Sequence, residues 1–357
     1  MKINKNKIIC FILISFINIK TIAQNQYAGI EIGGKGLKTF IIDARSVEKG
    51  IWVIDNHWFE NINILSGIVQ NGSLSANDIK TTTNQVVATY NKLIDQYKID
   101  KNKIYIVISS GVSVAKNTEL FAKKISEEVC IQPHIVSSEI ESKLLFKGCV
   151  PPKYYKESII MDIGSGNTKG GFIETESGKT TFYDFNTDIG TMSFSNLLSK
   201  KYSTFKIQDF IGLVDEYNPK LNTDVKAMYD SQTISSNKKR VYASGGSVWA
   251  FFTLFYNDDS RNNLQEFKLQ DIYKYDVILK NDFETYKDLA NKNTEAARVL
   301  KTFTHENLIA SNAILIATLS NIKKIESKKL FFAKQPEISW VVSYISDKLK
   351  DGTLGLF

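Results

Sequence analysis

Two stretches decide the fold: YAGIEIGGKGLKTFII at 27–42 and SIIMDIGSGNTKGGFI at 158–173. Laid on one another, they align Glu31 with Asp162, Gly33 with Gly164, Lys38 with Lys169 and Ile42 with Ile173, at a constant offset of 131 positions. Each is an apolar run, a glycine-rich turn and a second apolar run, the pattern of strand, turn and strand. An acid, an isoleucine, a glycine and a lysine held in register point to a duplicated unit, with a cleft between its two copies.

Outward from the first stretch, strands are predicted at Tyr27–Ile32, Leu37–Ala44 and Ile51–Ile54. Ile79, Val86, Val87, Tyr90, Leu93, Ile94 and Tyr97 recur at helical spacing. A buried strand follows at Ile104–Ile108, a helix at Ala115–Val129, a short strand at Ile135–Val136 and a helix at Glu139–Phe146. Pro151–Pro152 marks a boundary, after which the opening pattern returns: strands at Ser158–Ile163, Gly170–Glu174 and Thr180–Phe185. Helices come next, then a strand at Arg240–Ala243 running into Gly245–Gly246, further helices, and a last strand near Leu330–Ala333. Strands alternating with helices predict an α/β protein with largely parallel, covered sheets, divided as 25–150 and 151–357.

Residues 1–24 have the features of an export signal. Lys2, Lys5 and Lys7 precede the apolar run Ile8–Ile17, and Thr21-Ile22-Ala23 offers small residues for cleavage. The run is shorter than the roughly 20 apolar residues that span a bilayer, so an uncleaved anchor is the weaker alternative. An exported, periplasmic or extracellular protein with no membrane span after cleavage is expected. Lys2, Lys5, Lys7 and Lys20 supply four of the formal charges; without them the net +7 becomes +3, too mild for a nucleic-acid partner. Cys130 and Cys149 would remain in the mature chain, either paired or as two free thiols.

Chemistry concentrates at the glycine turns. Gly33, Gly34, Lys35 and Gly36 form one, and Gly164, Ser165, Gly166 and Asn167 its counterpart. Small residues let backbone N–H groups approach a phosphate, and the acid ending each first strand could hold a cation. Gly245–Gly246, between a strand and the apolar stretch Val248–Tyr256, either binds an anion at a helix start or lets helix pack on strand. His57, His134 and His305 lack metal-site spacing and are read as surface or packing residues.

The ordered segments IEIGGKGLKTFII, SSGVSVAKN, VSSEIESKLLFKG, IIMDIGSGNTKGGF, ASGGSVWAF and NLIASNAILIATL, with Asn71–Ile79, resemble the exopolyphosphatase/guanosine pentaphosphate phosphatase family. That family lies within the acetate and sugar kinase/actin superfamily. The resemblance implies two actin-like (ribonuclease H-like) domains with mixed sheets, and phosphoanhydride or phosphoester hydrolysis in the cleft between them. It implies that Glu141 orients or deprotonates the attacking water and that Asp162, with Glu31, binds Mg²⁺. Gly33–Gly36, Gly164–Asn167, Lys38, Lys169, Gly245 and Gly246 would hold phosphate. The implied partner is polyphosphate or another phosphate-rich small molecule, and a homodimer is allowed.

Four departures accompany the resemblance. Glu31 replaces the family's first Asp, Lys169 replaces an acid that helps bind the metal, Ser113 stands where a phosphate-contacting Arg is usual, and the Arg expected near Ile64 is missing. They motivate a rival reading, a phosphate- or nucleotide-binding module without turnover. A small-molecule kinase is a third reading, weakened by the export signal.

Overall fold

The computed structural model describes residues 25–44, 53–62, 64–199, 206–230, 237–257, 264–334 and 336–350. The expected leader, 1–24, lies outside them. Strands β1 (Gln26–Gly33), β2 (Gly36–Asp43) and β3 (Val53–Asn61) form an antiparallel meander. Helices α1 (Ser66–Asn71) and α2 (Ala76–Asp95) lead to β4 (Ile104–Ile108), which pairs parallel with β1. Next come α3 (Ser110–Ser113), α4 (Thr118–Val129), β5 (His134–Ile135) and α5 (Ser138–Cys149). The sheet order is β3-β2-β1-β4-β5.

The second half repeats this plan. Strands β6 (Ser158–Ile163), β7 (Thr168–Glu176) and β8 (Lys179–Thr187) make the meander, and α6 (Thr191–Ser199) and α7 (Ile207–Asp230) follow. Strand β9 (Arg240–Gly245) pairs parallel with β6 and runs into α8 (Gly246–Phe255). Then come β10 (Leu264–Phe267), α9 (Leu269–Asn281), α10 (Glu284–Ala290), α11 (Thr294–Thr302), α12 (His305–Ser320), β11 (Lys329–Ala333) and α13 (Pro336–Lys350). The order β8-β7-β6-β9-β11 matches the first sheet strand for strand, with β10 added antiparallel at the edge. The expected α/β architecture holds, with the mixed sheets that the resemblance implies. The sheets are not largely parallel as the strand–helix alternation predicts, because each opens with an antiparallel three-stranded meander.

Local chemistry sets the helix starts. Ser75 and Asp78 form a reciprocal capping box on α2, at 3.0 and 3.2 Å. Ser137 caps α5 by accepting from the Ile140 amide, which fixes where Glu141 enters the helix. Strand β3 is longer than the predicted Ile51–Ile54 and is displaced along the chain; Ile51 and Trp52 lie outside the described residues. Its alternating exposed and half-buried residues suit an edge strand, and the polar residues Asp55, Asn56 and His57 hid it from an apolar-run reading.

Three apolar clusters follow the layers. One packs α2 and α4 on the outer face of the first sheet, and another packs α7, α8, α9 and α12 on the second. The third lies between the sheets. It joins Phe40, Ile42 and Val107 of the first sheet to Ile160, Ile173 and Tyr242 of the second through Leu144, Leu145 and Phe146 of α5 and Trp340, Val341 and Ile345 of α13. Helices α5 and α13 also pair with each other through Lys147 and Asp347 at 2.5 Å. This shared layer fixes the angle at which the two meanders face one another.

Phe146 is fully buried in that layer, against Tyr155 and Phe182. Phe146→Ala is expected to cost about 3–5 kcal/mol, the usual range for emptying a buried aromatic site. Denaturant unfolding followed by Tyr and Trp fluorescence checks it.

Candidate active site

The repeat resolves into matched cross-strand pairs. Glu31 on β1 lies opposite Lys38 on β2, and Asp162 on β6 lies opposite Lys169 on β7. The Lys38 Nζ is 2.9 Å from Glu31 Oε1, and the Lys169 Nζ is 2.8 Å from Asp162 Oδ2. In each half, the acid at the end of the first strand meets the lysine that follows the turn.

Lys169 makes a second bond, 3.0 Å to Glu141 Oε1 from α5. The other Glu141 oxygen, Oε2, accepts from the Ser110 amide at 2.7 Å, and Asp162 Oδ1 accepts from Ser244 Oγ at 2.8 Å. One polar chain therefore runs Ser110–Glu141–Lys169–Asp162–Ser244, from the start of α3 to the end of β9. Glu141 is 4% exposed and Lys169 3%, so neither is a solvated surface charge. Burial works against charge on Asp162 and Lys169, and their mutual attraction overrides it. The Asp162 carboxyl is held below its ordinary value, helped by Ser244 and by Lys38 across the cleft, and the Lys169 ammonium is held above its own.

The glycine turns are anchored by their carbonyls. Ile62 and Ile64 donate to Lys35 O and Gly34 O; Thr191 donates to Gly164 O, and Met192 and Ser193 to Ser165 O. A trans peptide places N–H opposite C=O, so the amides of Lys35, Ser165 and Gly166 point away from these anchors. Gly36, at φ +134°, cannot be replaced: a Cβ would lie 1.9 Å from Glu60 O. Gly166 approaches Gly111 backbone to backbone, and Asn167 Nδ2 donates to Ser110 Oγ at 3.1 Å, so the second turn sits directly on the first half.

Gly33 and Gly34 stay in the first turn, but Lys35 leaves it. Its Nζ crosses to the second half, donating to Thr302 O at 3.2 Å and lying 3.6 Å from the centre of the Phe303 ring. Burial pushes its pKa down to about 8. Gly245, at φ +99°, and Gly246 are close-packed: a Cβ would lie 2.3 Å from Ile163 O and 2.9 Å from Phe303 Cζ, respectively. Ser113 turns back to Ser110 O, and Lys116 packs beside Gly72. His305 stacks on Phe283 at 3.7 Å, a packing role. Cys130 is exposed and Cys149 buried, and the two are not joined in a disulfide.

The residues do not fit a divalent cation at the expected place. Among the described residues no three His, Cys, Asp or Glu side chains converge on a metal position. The space between Asp162 and Glu141 is spanned by the Lys169 ammonium, and Glu31 is bonded to Lys38. Beside Gly111, Gly166 and Asn167, between the halves, opens a cavity of about 400 Å³. Its walls are mostly apolar, among them Leu65, Val114, Leu197 and Tyr217, and its charged residues are Asp188 and Asp224. Ser110, Ser244, Thr302 and Phe303 have places in this site that sequence reading missed. Ser110 and Ser244 lay inside quoted segments, but their partners are distant in sequence.

No protein-family profile matches the chain. The curated bifunctional 3-dehydroquinate synthase/phosphatase of Fusobacterium nucleatum is 25% identical over 148 residues, which are 40% of this chain and only 22% of that protein's length. The crystal structure of the Aquifex aeolicus member of the Ppx/GppA family superposes with a TM-score of 0.67 at 18% identity, covering 92% of this chain and 99% of that one. The exopolyphosphatase of Cytophaga hutchinsonii gives a TM-score of 0.67 at 14% identity, covering 92% of this chain and all of that one (100%). The chain has the two-domain actin-like fold of these Ppx/GppA structures, as its ordered segments led one to expect.

Lys35 generates a pH prediction. Its pKa falls from 10.5 to about 8 on folding, so between these values the unfolded chain holds the extra proton. Stability from this group is therefore flat below about pH 8 and rises with pH above it. Urea midpoints measured across that window should show the rise in the natural chain and lose it in Lys35→Met.

Proposed function

We propose that this chain, folded as the Ppx/GppA proteins are, is an exported phosphohydrolase of that family. It would release terminal phosphate from a phosphate-rich small molecule such as polyphosphate. The observation that carries this reading is the meeting of Glu141, Lys169 and Asp162 beside two glycine turns whose amides point away from their anchors.

In the step proposed, a water oxygen bonds to the terminal phosphorus while the bridging P–O bond breaks. The electron pair of that bond leaves with the shortened chain. One water proton passes to the Glu141 carboxylate and from there to solvent, and the products are orthophosphate and the shortened polyphosphate. Glu141 is suited to hold the water because both its oxygens are fixed, by Lys169 and by the Ser110 amide, and each keeps a further lone pair. The turn amides would hold the phosphate oxygens, where charge grows in the transition state.

One observation favours a second reading, a binding module without turnover: the same Lys169 bond ties down the group that must receive the proton. The two readings separate experimentally. Phosphate release from long-chain polyphosphate is measured with the chain from Gln24 onward, beside Glu141→Ala. Hydrolysis predicts turnover that falls by about 10²-fold or more in the variant, the scale of a lost general base. Binding alone predicts a melting temperature raised by polyphosphate with no phosphate released from either protein.

A further inference from the structure

We infer that the Lys169 ammonium is a built-in replacement for a divalent cation, so that this cleft works on phosphate without a metal. This rests on the phosphohydrolase reading for what the cation does, though not for its presence. Three observations carry it. Lys169 bonds Asp162, the carboxylate expected to hold the metal, at 2.8 Å, and the neighbouring Glu141 at 3.0 Å. It is 3% exposed, with its neighbours closed around it, so a metal could enter only by driving a buried charge off both partners. The first half uses the same device at the equivalent register position, Lys38 against Glu31 at 2.9 Å, so the pairing belongs to the repeat and not to one accidental contact.

An ammonium can do part of a cation's work. It has three N–H donors, of which Asp162 and Glu141 take two, so it holds the two carboxylates together as a bridging cation would. Its charge is smaller than that of Mg²⁺, so the two carboxylates and Lys169 together keep one negative charge. Phosphate must then be drawn by the turn amides and by Lys38, whose side chain is one-third exposed. The substrate favoured is therefore one whose terminal phosphoryl group reaches the turn amides, with no metal ion required.

The test has two independent arms. In the first, thermal melts of the natural chain and of Lys169→Ala are recorded in EDTA and in millimolar Mg²⁺ or Mn²⁺, without phosphate. The natural chain should show no shift with metal. Lys169→Ala, with two facing carboxylates left without their ammonium, should melt lower in EDTA and recover with metal. A metal-induced rise in the natural chain that is lost in Glu141→Gln would overturn the inference. In the second arm, phosphate release from tripolyphosphate should persist in EDTA, and abolition by EDTA with restoration by Mg²⁺ would also overturn it. If no protein releases phosphate under any condition, the hydrolase reading fails while the melts still decide the metal question. If Lys169→Ala does not fold, the natural chain's own melts and EDTA series decide it.

Discussion

A buried ammonium must find its counter-charges inside the protein, and for Lys169 they come from different parts of the chain. Asp162 is its cross-strand neighbour, but Glu141 belongs to a helix that starts beyond the first sheet. Taking one partner away would leave a charge in a poorly polarisable interior, a loss of about 3–5 kcal/mol in comparable buried pairs. The two halves are therefore locked at one distance, with Ser110 and Asn167 bonded across the same seam. Gly111 and Gly166 lie at the same seam, where a Cβ on Gly166 would come 3.2 Å from Gly111 O. Lys35 adds a clasp at the mouth of the cleft, where its ammonium lies on the Phe303 ring.

Much of the fold could be read from residue order because it rests on local rules. The strand–turn–strand repeat needs only apolar runs and glycines, and both sheets are built around it. Helix starts at Ser75 and Ser137 follow from capping chemistry. Strand β3 was read only at its start because an edge strand exposes one face and carries polar residues there. Helix α13 was not predicted, although Trp340, Val341, Tyr344 and Ile345 recur at helical spacing; its partners, Phe40, Ile42 and α5, are some 200 to 300 positions away and cannot be read from its own segment.

The candidate site was legible as a set of positions and illegible as a set of bonds. Glu141, Asp162, Lys169 and the glycine turns do come together. Their pairing depends on side-chain reach across sequence gaps: Lys169 to Glu141, and Lys35 to Thr302. A lysine in place of an acid could be seen in the sequence, but that its ammonium would lie between the two remaining carboxylates could not. That placement changes the chemistry expected of the site more than any other single contact.

The shared layer between the sheets bears on how the chain acquires its structure. Phe40, Ile42 and Val107 are synthesised early, yet part of their cover is Trp340, Val341 and Ile345 of α13. Until that helix arrives, one face of the first sheet carries exposed apolar side chains. Contacts so far apart in sequence form slowly, because a long loop must close before they are rewarded. An emerging chain would thus spend an interval with this face open, vulnerable to self-association. Covering of this face is then a late event, completed when α13 docks.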